Sequence, residues 1–198
     1  TVVPTKFRRR DMATEVSICS NALRKLGDDP ITSLTDDTER ARLCNAFYDS
    51  TRDSVLRSHP WNFAITRATL GKLTSTPAFD YASEFTLPTD PYCLRVLKMQ
   101  YDDSEFKIEG RKLLCNEDTA KILYVGRITD TAQYDPMFTE VLTARLAAEL
   151  AYSITGSNSL TKQMWDIHDE KLKEARSIDG LEGFIDGMIS DTFTSFRR

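Results

Sequence analysis

Apolar positions recur at helical spacing at both ends of the chain and at strand spacing in between. From Ala13 onward Val16, Cys19, Leu23 and Leu26 mark one face of a first helix, and Gly27 follows where a left-handed C-terminal cap belongs. Asp28-Asp29-Pro30 stops it, and Ile31 and Leu34 are expected to dock back on the core. Thr35-Asp36-Asp37 then offers caps and negative charge to a second helix predicted from about Asp37 to Arg57. Its buried stripe is Ala41, Cys44, Phe47 or Tyr48, Thr51 and Val55. Arg40, Arg42, Asp49, Arg52, Asp53 and Arg57 form a mixed-sign face, expected to be solvated or to make ion pairs between subunits.

The period changes within Ser58 to Leu70. Pro60 disfavours α geometry at His59 and cannot donate a backbone hydrogen bond. Trp61 and Phe63, two residues apart, are expected on one side of an extended segment, pinning strands to helices as a structural junction with Pro60. Strands are predicted at Ala64 to Leu70, Ser83 to Leu87, Leu94 to Tyr101, Phe106 to Glu109, Lys112 to Cys115 and Ala120 to Val125, with a hairpin turn at Gly110-Arg111. Alternation is clean only from Leu94 to Met99, which predicts a small antiparallel sheet with one wet face. Pro77, Pro88 and Pro91 confine its edges.

Asp135-Pro136 reads as an N-cap followed by proline at the first helical position. The helix from Met137 to Ile154 carries Phe138, Val141, Leu142, Leu146, Leu150 and Tyr152, with Ala144, Ala147, Ala148 and Ala151 widening the buried face. Gly156-Ser157-Asn158 breaks it. A last long helix from about Ser159 carries Leu160, Met164, Ile167, Lys171, Leu172, Ala175 and Ile178, antiparallel to the one before. Beyond it Gly180, Gly183 and Gly187 weaken a helix, yet Leu181, Phe184, Ile185, Met188, Ile189, Phe193 and Phe196 form an apolar load that needs a partner surface.

The fold class is thus α+β, mainly α: an antiparallel helical bundle with an inserted small antiparallel β-sheet lobe and an extended C-terminal segment. The expected organisation is an N-terminal arm at 1–12, a helical body at 13–63 and 135–180, a β-rich insertion at 64–134 and a C-terminal docking segment at 181–198. The arm carries Lys6 and Arg8-Arg9-Arg10, and is expected to be solvated or to lie across an acidic surface. With 198 residues the chain can bury a core without metals or disulfides. Thr1 to Asp11 is basic with no apolar stretch behind it, so no secretory leader is expected, and no apolar run approaches the ~18 residues of a membrane span.

Charge and chemistry narrow the function classes further. A net charge of −4 argues against a dedicated DNA-coating protein, and cations are dispersed among acids except at the basic chain ends. Cys19, Cys44, Cys93 and Cys115 fall in four different predicted elements without a C-x-x-C pair, and only His59 and His168 are present to complete a metal set. Reduced, buried thiols and no metal or other cofactor are therefore expected. His168 lies among Asp166, Asp169 and Glu170, but such close neighbours on a helix point away from it, which predicts a solvated face. Asp102-Asp103 and the repeated Ile-Asp-Gly at 178–180 and 185–187 do not fit a calcium loop and read as solvated turns. Hydrolase, phosphate-loop and zincin motifs are absent, so no catalytic residue is assigned and no enzyme is expected.

Taken together, Leu23, Leu26-Gly27-Asp28, Pro30-Ile31 and Leu34, the arginine-bearing helix closing on Trp61 and Phe63, and Asp191-Thr192-Phe193-Thr194-Ser195 with terminal arginines resemble the tail tubular protein A family. These are the head-to-tail adaptors of short-tailed bacteriophages, and the resemblance covers the two helical ends and the tryptophan junction. It implies a ring of twelve copies in the virion tail, at the head-tail interface, made in the host cytoplasm. The implied partners are the portal protein, a tail nozzle protein of the tail tubular protein B type, and genomic DNA passing through the channel without sequence specificity; no membrane is involved. By position Phe193, Thr194, Ser195, Phe196, Arg197 and Arg198 inherit the portal-binding role. The alternatives are a helical nucleic-acid-binding protein and a tail-associated polysaccharide or peptidoglycan hydrolase, the latter needing two facing carboxylates.

Overall fold

The computed structural model describes residues 13–100 and 104–194, with side chains as far as Glu182. The basic arm expected at 1–12 lies outside them. The fold is mixed α+β, with four α-helices and two small antiparallel sheets among the described residues. The chain groups into two compact units. One combines the residues up to Arg52 with Thr129–Ala175, and the other combines Asp53–Ile128 with the chain from Arg176 onward.

In the first unit, α1 (Glu15–Lys25) opens with a reciprocal cap, in which Thr14 Oγ1 accepts from Ser17 N at 3.1 Å and Ser17 Oγ accepts from Thr14 N at 2.8 Å. It closes at Gly27, whose φ of +78° lets Gly27 N reach Arg24 O and Asp28 N reach Leu23 O, each at 3.1 Å. Ile31 docks back as expected, its carbonyl accepting from Ser20 Oγ at 3.0 Å. The start of α2 (Glu39–Ser58) differs from the expectation. Asp36 turns back to the amides of Thr32 and Ser33, and Thr38 is the residue whose hydroxyl accepts from Ala41 N. Ala41, Cys44, Tyr48, Thr51 and Val55 form the buried stripe. Arg52, expected on the solvated face, is buried as well. It follows Tyr48 by one turn, its aliphatic stem packs inward, and its guanidinium donates to Asp49 at 2.7 Å.

Helix α3 (Pro136–Thr155) begins as its sequence dictates, with Asp135 Oδ1 accepting from Met137 N at 2.7 Å and Phe138 N at 3.2 Å. Phe138, Val141, Leu142, Leu146 and Leu150 are buried together with the four alanines. Tyr152 is instead 58% exposed, because it lies two residues past Leu150, about 200° round the helix. Gly156 caps α3 at φ +64°. Helix α4 then runs from Asn158 to Thr194 without interruption. An extended segment beyond residue 180 was expected from Gly180, Gly183 and Gly187. Each glycine costs a helix only about 1 kcal/mol, and the apolar residues between them recur at helical spacing, so the helical backbone continues.

The second unit holds the seven strands found among the described residues: β1 (Ile65–Thr69), β2 (Gly71–Lys72), β3 (Ser83–Thr86), β4 (Cys93–Met99), β5 (Phe106–Glu109), β6 (Lys112–Cys115) and β7 (Lys121–Gly126). They form two sheets, ordered β1-β7-β4 and β2-β3-β6-β5, where one was expected. The switch occurs at Leu70. Its amide still donates to Ala120 O beside β7, whereas Leu73 N donates to Glu84 O on β3, so one extended run serves both sheets. Their facing sides share a core of Met99, Ile122 and Tyr124 from one sheet and Phe85, Leu113 and Cys115 from the other. Ser83-Glu84-Phe85 and Leu113-Leu114-Cys115 are buried at every position, so neither strand alternates as a half-wet strand does. Gly110, at φ +58°, opens the two-residue loop between Glu109 and Lys112, the position where such a turn favours glycine.

Candidate functional site

The residues around Pro60 form the junction that the sequence singles out. Trp61 is completely buried, and its Nε1 donates to Val55 O at 3.0 Å on the last turn of α2. The His59 ring meets it edge-on at 4.9 Å between centroids, and the half-buried Phe63 lies at 6.5 Å. The local backbone is not extended, as the alternation suggested. Asn62–Ala64 is a single 3-10 turn, closed by Ala64 N donating to Trp61 O, and the strand starts only at Ile65. The turn keeps the two aromatic rings adjacent while reversing the chain after α2.

What holds this turn is a feature sequence reasoning missed. Asp179, on α4, accepts from Asn62 N at 3.0 Å through Oδ1 and from His59 Nε2 at 2.8 Å through Oδ2. Its backbone carbonyl accepts from Asn62 Nδ2 at 2.7 Å, and Arg176, one turn earlier, donates to Ser58 O at 3.0 Å. The first Ile-Asp-Gly repeat is therefore not a solvated turn. It is helical, and the Asp179 side chain is only 13% exposed because three groups of the junction cover it. Nothing in the local sequence marks this pairing, since the partners are more than a hundred residues apart; only the shared helix face of Arg176 and Asp179 hints at it.

On either side of Asp179, α4 exposes two apolar side chains. Ile178 is 41% and Leu181 64% exposed, and the helical backbone continues through Phe193 and Thr194. Of the residues expected to bind a portal, these two are the last helical positions described, while Ser195, Phe196, Arg197 and Arg198 lie outside the described residues.

The groups with chemical potential elsewhere are held inside the fold. His168 is buried, not solvated, because it follows Met164 by one turn on the inner stripe of α4. Its ring stands edge-on to Trp165 at 5.9 Å, and Arg145 lies 4.2 Å over the Trp165 ring. All four cysteines are free and buried. Cys19 and Cys44 face each other, and the hydrogen bond between them together with burial pushes the Cys19 thiol up, while burial does the same to Cys93 and Cys115. Burial and the neighbouring Tyr134 raise Tyr48. Glu84 is held below the usual carboxylate range by Lys112 Nζ at 2.7 Å and Ser75 Oγ at 2.8 Å. Among the described residues no three His, Cys, Asp or Glu side chains converge as a metal set, and no helix is long and apolar enough to cross a membrane.

No family model matches the sequence, and no curated protein is significantly similar to it. The arrangement itself offers a rigid clasped junction from which one helix continues with apolar side chains exposed.

Proposed function

We propose that this chain is a structural, non-enzymatic head-to-tail adaptor of a short-tailed bacteriophage. In this reading the helices form an antiparallel bundle body, the strands form a lobe inserted in it, and twelve copies make a ring in the virion between the portal and the tail nozzle, around the path of the genome. The observation that carries it is the end of α4. Beyond Ala175, the last buried position among the described residues, α4 exposes Ile178 and Leu181 on either side of the Asp179 clasp, an apolar load of the kind that another surface covers. The resemblance of Leu26-Gly27-Asp28, Pro30-Ile31 and Asp191 to Ser195 to tail tubular protein A supports the same assignment.

Burial of several such side chains contributes about 1.5–3 kcal/mol each, and repetition round a ring multiplies the lifetime of the joint. The test is a chain truncated after Gly180, which retains Arg176 and Asp179. It is expected to keep its fold by circular dichroism and to lose sedimentation with the portal protein, while the full chain gives a ring mass by native mass spectrometry only when portal is present. Assembly of the truncated chain on the portal would refute the docking role.

A further inference from the structure

Two of the four buried thiols meet. Cys19 on α1 and Cys44 on α2 are both completely shielded from solvent, and a hydrogen bond joins their side chains. The contact has a defined register between two helices, and both cysteines belong to the same compact unit. One turn before Cys44, Arg40 reaches Asp28 and Asp29 just past the end of α1, each at 3.3 Å. One turn after Cys44, Tyr48 lies within electrostatic range of Cys19 and of Glu15, which precedes Cys19 by one turn. Positions advance along α2 as they retreat along α1, so the two helices run antiparallel with the sulfur atoms between them. Cys93 and Cys115 offer a comparison. They are buried too, on β4 and β6, and share one core cluster, yet no hydrogen bond joins them.

We infer that Cys19 and Cys44 are a redox-active pair, a dithiol that closes to an intrachain disulfide under a mild oxidant and reopens under a thiol reductant. A disulfide brings its sulfur atoms to about 2.05 Å, and from thiols already in hydrogen-bonding contact that approach is short. A metal does not compete for them, since among the described residues no third His, Cys, Asp or Glu converges on the pair. The oxidant class is a peroxide, hardly larger than water and so able to enter a sealed core when the unit opens. The Cys44 thiolate attacks one peroxide oxygen, the O–O bond breaks, and the hydroxide released takes the proton that Cys44 gave up and leaves as water. The sulfenic acid on Cys44 is then attacked by Cys19: the S–S bond forms, the S–O bond breaks, and the hydroxyl leaves with the Cys19 proton as a second water. Two thiols lose two electrons, and peroxide gains them. The hydrogen bond from Cys19 holds the Cys44 thiol below the usual cysteine range, which makes Cys44 the attacking group and leaves Cys19 to resolve. Closure ties α1 to α2 and removes freedom from the unfolded chain, so the oxidised form is the more stable one. The pair stands apart from portal docking, and either can fail without the other.

The test treats the full, reduced chain with a few equivalents of hydrogen peroxide, blocks the remaining thiols by alkylation in denaturant, and digests it without reductant. Mass spectra are expected to show a peptide linking Cys19 to Cys44 within one chain, with Cys93 and Cys115 recovered alkylated. The linked chain is expected to have a higher urea midpoint, and dithiothreitol to reverse both changes. Cys44→Ala and Cys19→Ala, each checked for folding by circular dichroism, are expected to give neither the link nor the gain in midpoint. A second arm removes the question of access: the chain is unfolded in urea and refolded in a buffer of oxidised and reduced glutathione, where the same link is expected to predominate in the refolded protein. Absence of the Cys19–Cys44 link in both arms, its formation no more often than links to Cys93 or Cys115, or a linked chain without its native circular dichroism would overturn the assignment.

Discussion

Trp61 shows how far a single residue could be read in advance. Pro60 predicted the break, and the size of an indole predicted burial; both hold, and the Nε1 bond to Val55 O satisfies its one polar atom. Trp61→Ala should therefore destabilise the protein by about 3–5 kcal/mol, the range of large aromatic truncations in cores, read from urea unfolding midpoints; an unchanged midpoint would contradict its structural role. Glu84 makes a different kind of prediction. Its carboxyl is held low by Lys112 and Ser75, so the folded state favours the charged form more than the unfolded chain does. The stability this contributes is complete above the ordinary glutamate range and is lost as pH falls through that range and then through the lowered folded value. Glu84→Gln should cost stability at neutral pH and little in acid, which urea midpoints at the two conditions would show. His168 and Arg52 were misplaced because their residue types argue for solvent, although each follows a buried position by one turn. Asp179 was out of reach, since its partners are distant in the chain.

At the scale of elements the ends were more legible than the pairings. Gly27, Gly156 and Asp135-Pro136 mark helix boundaries through local backbone chemistry, and β5 and β6 span the predicted residues. The partition into two sheets was not legible, because periodicity tells which residues share a face and is silent on which strand lies beside which. Helix α4 overrode its glycines for want of a stronger breaker: no proline follows until the end of the chain, and weak propensity alone does not stop a helix. The truncation after Gly180 consequently has an element-level signature, a loss of helical ellipticity matching the 14 residues that α4 spans from Leu181 to Thr194, with the melting transition kept because the clasp at Asp179 remains.

For the whole molecule the sequence suggested a helical body and a β insertion, while compactness divides the chain within α2 and α4, so that two helices each contribute to both units. Each unit also encloses two cysteine thiols, Cys19 and Cys44 in one, Cys93 and Cys115 in the other. A sealed thiol reacts only when its surroundings open, so each unit carries its own stopwatch. Under slow alkylation the two thiols of a unit should acquire label together, and mass spectra should show adducts gained in pairs, not singly. Four unrelated rates would mean that the units breathe in smaller pieces. Paired labelling would let an experimenter time the opening of either half of the protein, free or assembled, without introducing a single foreign probe.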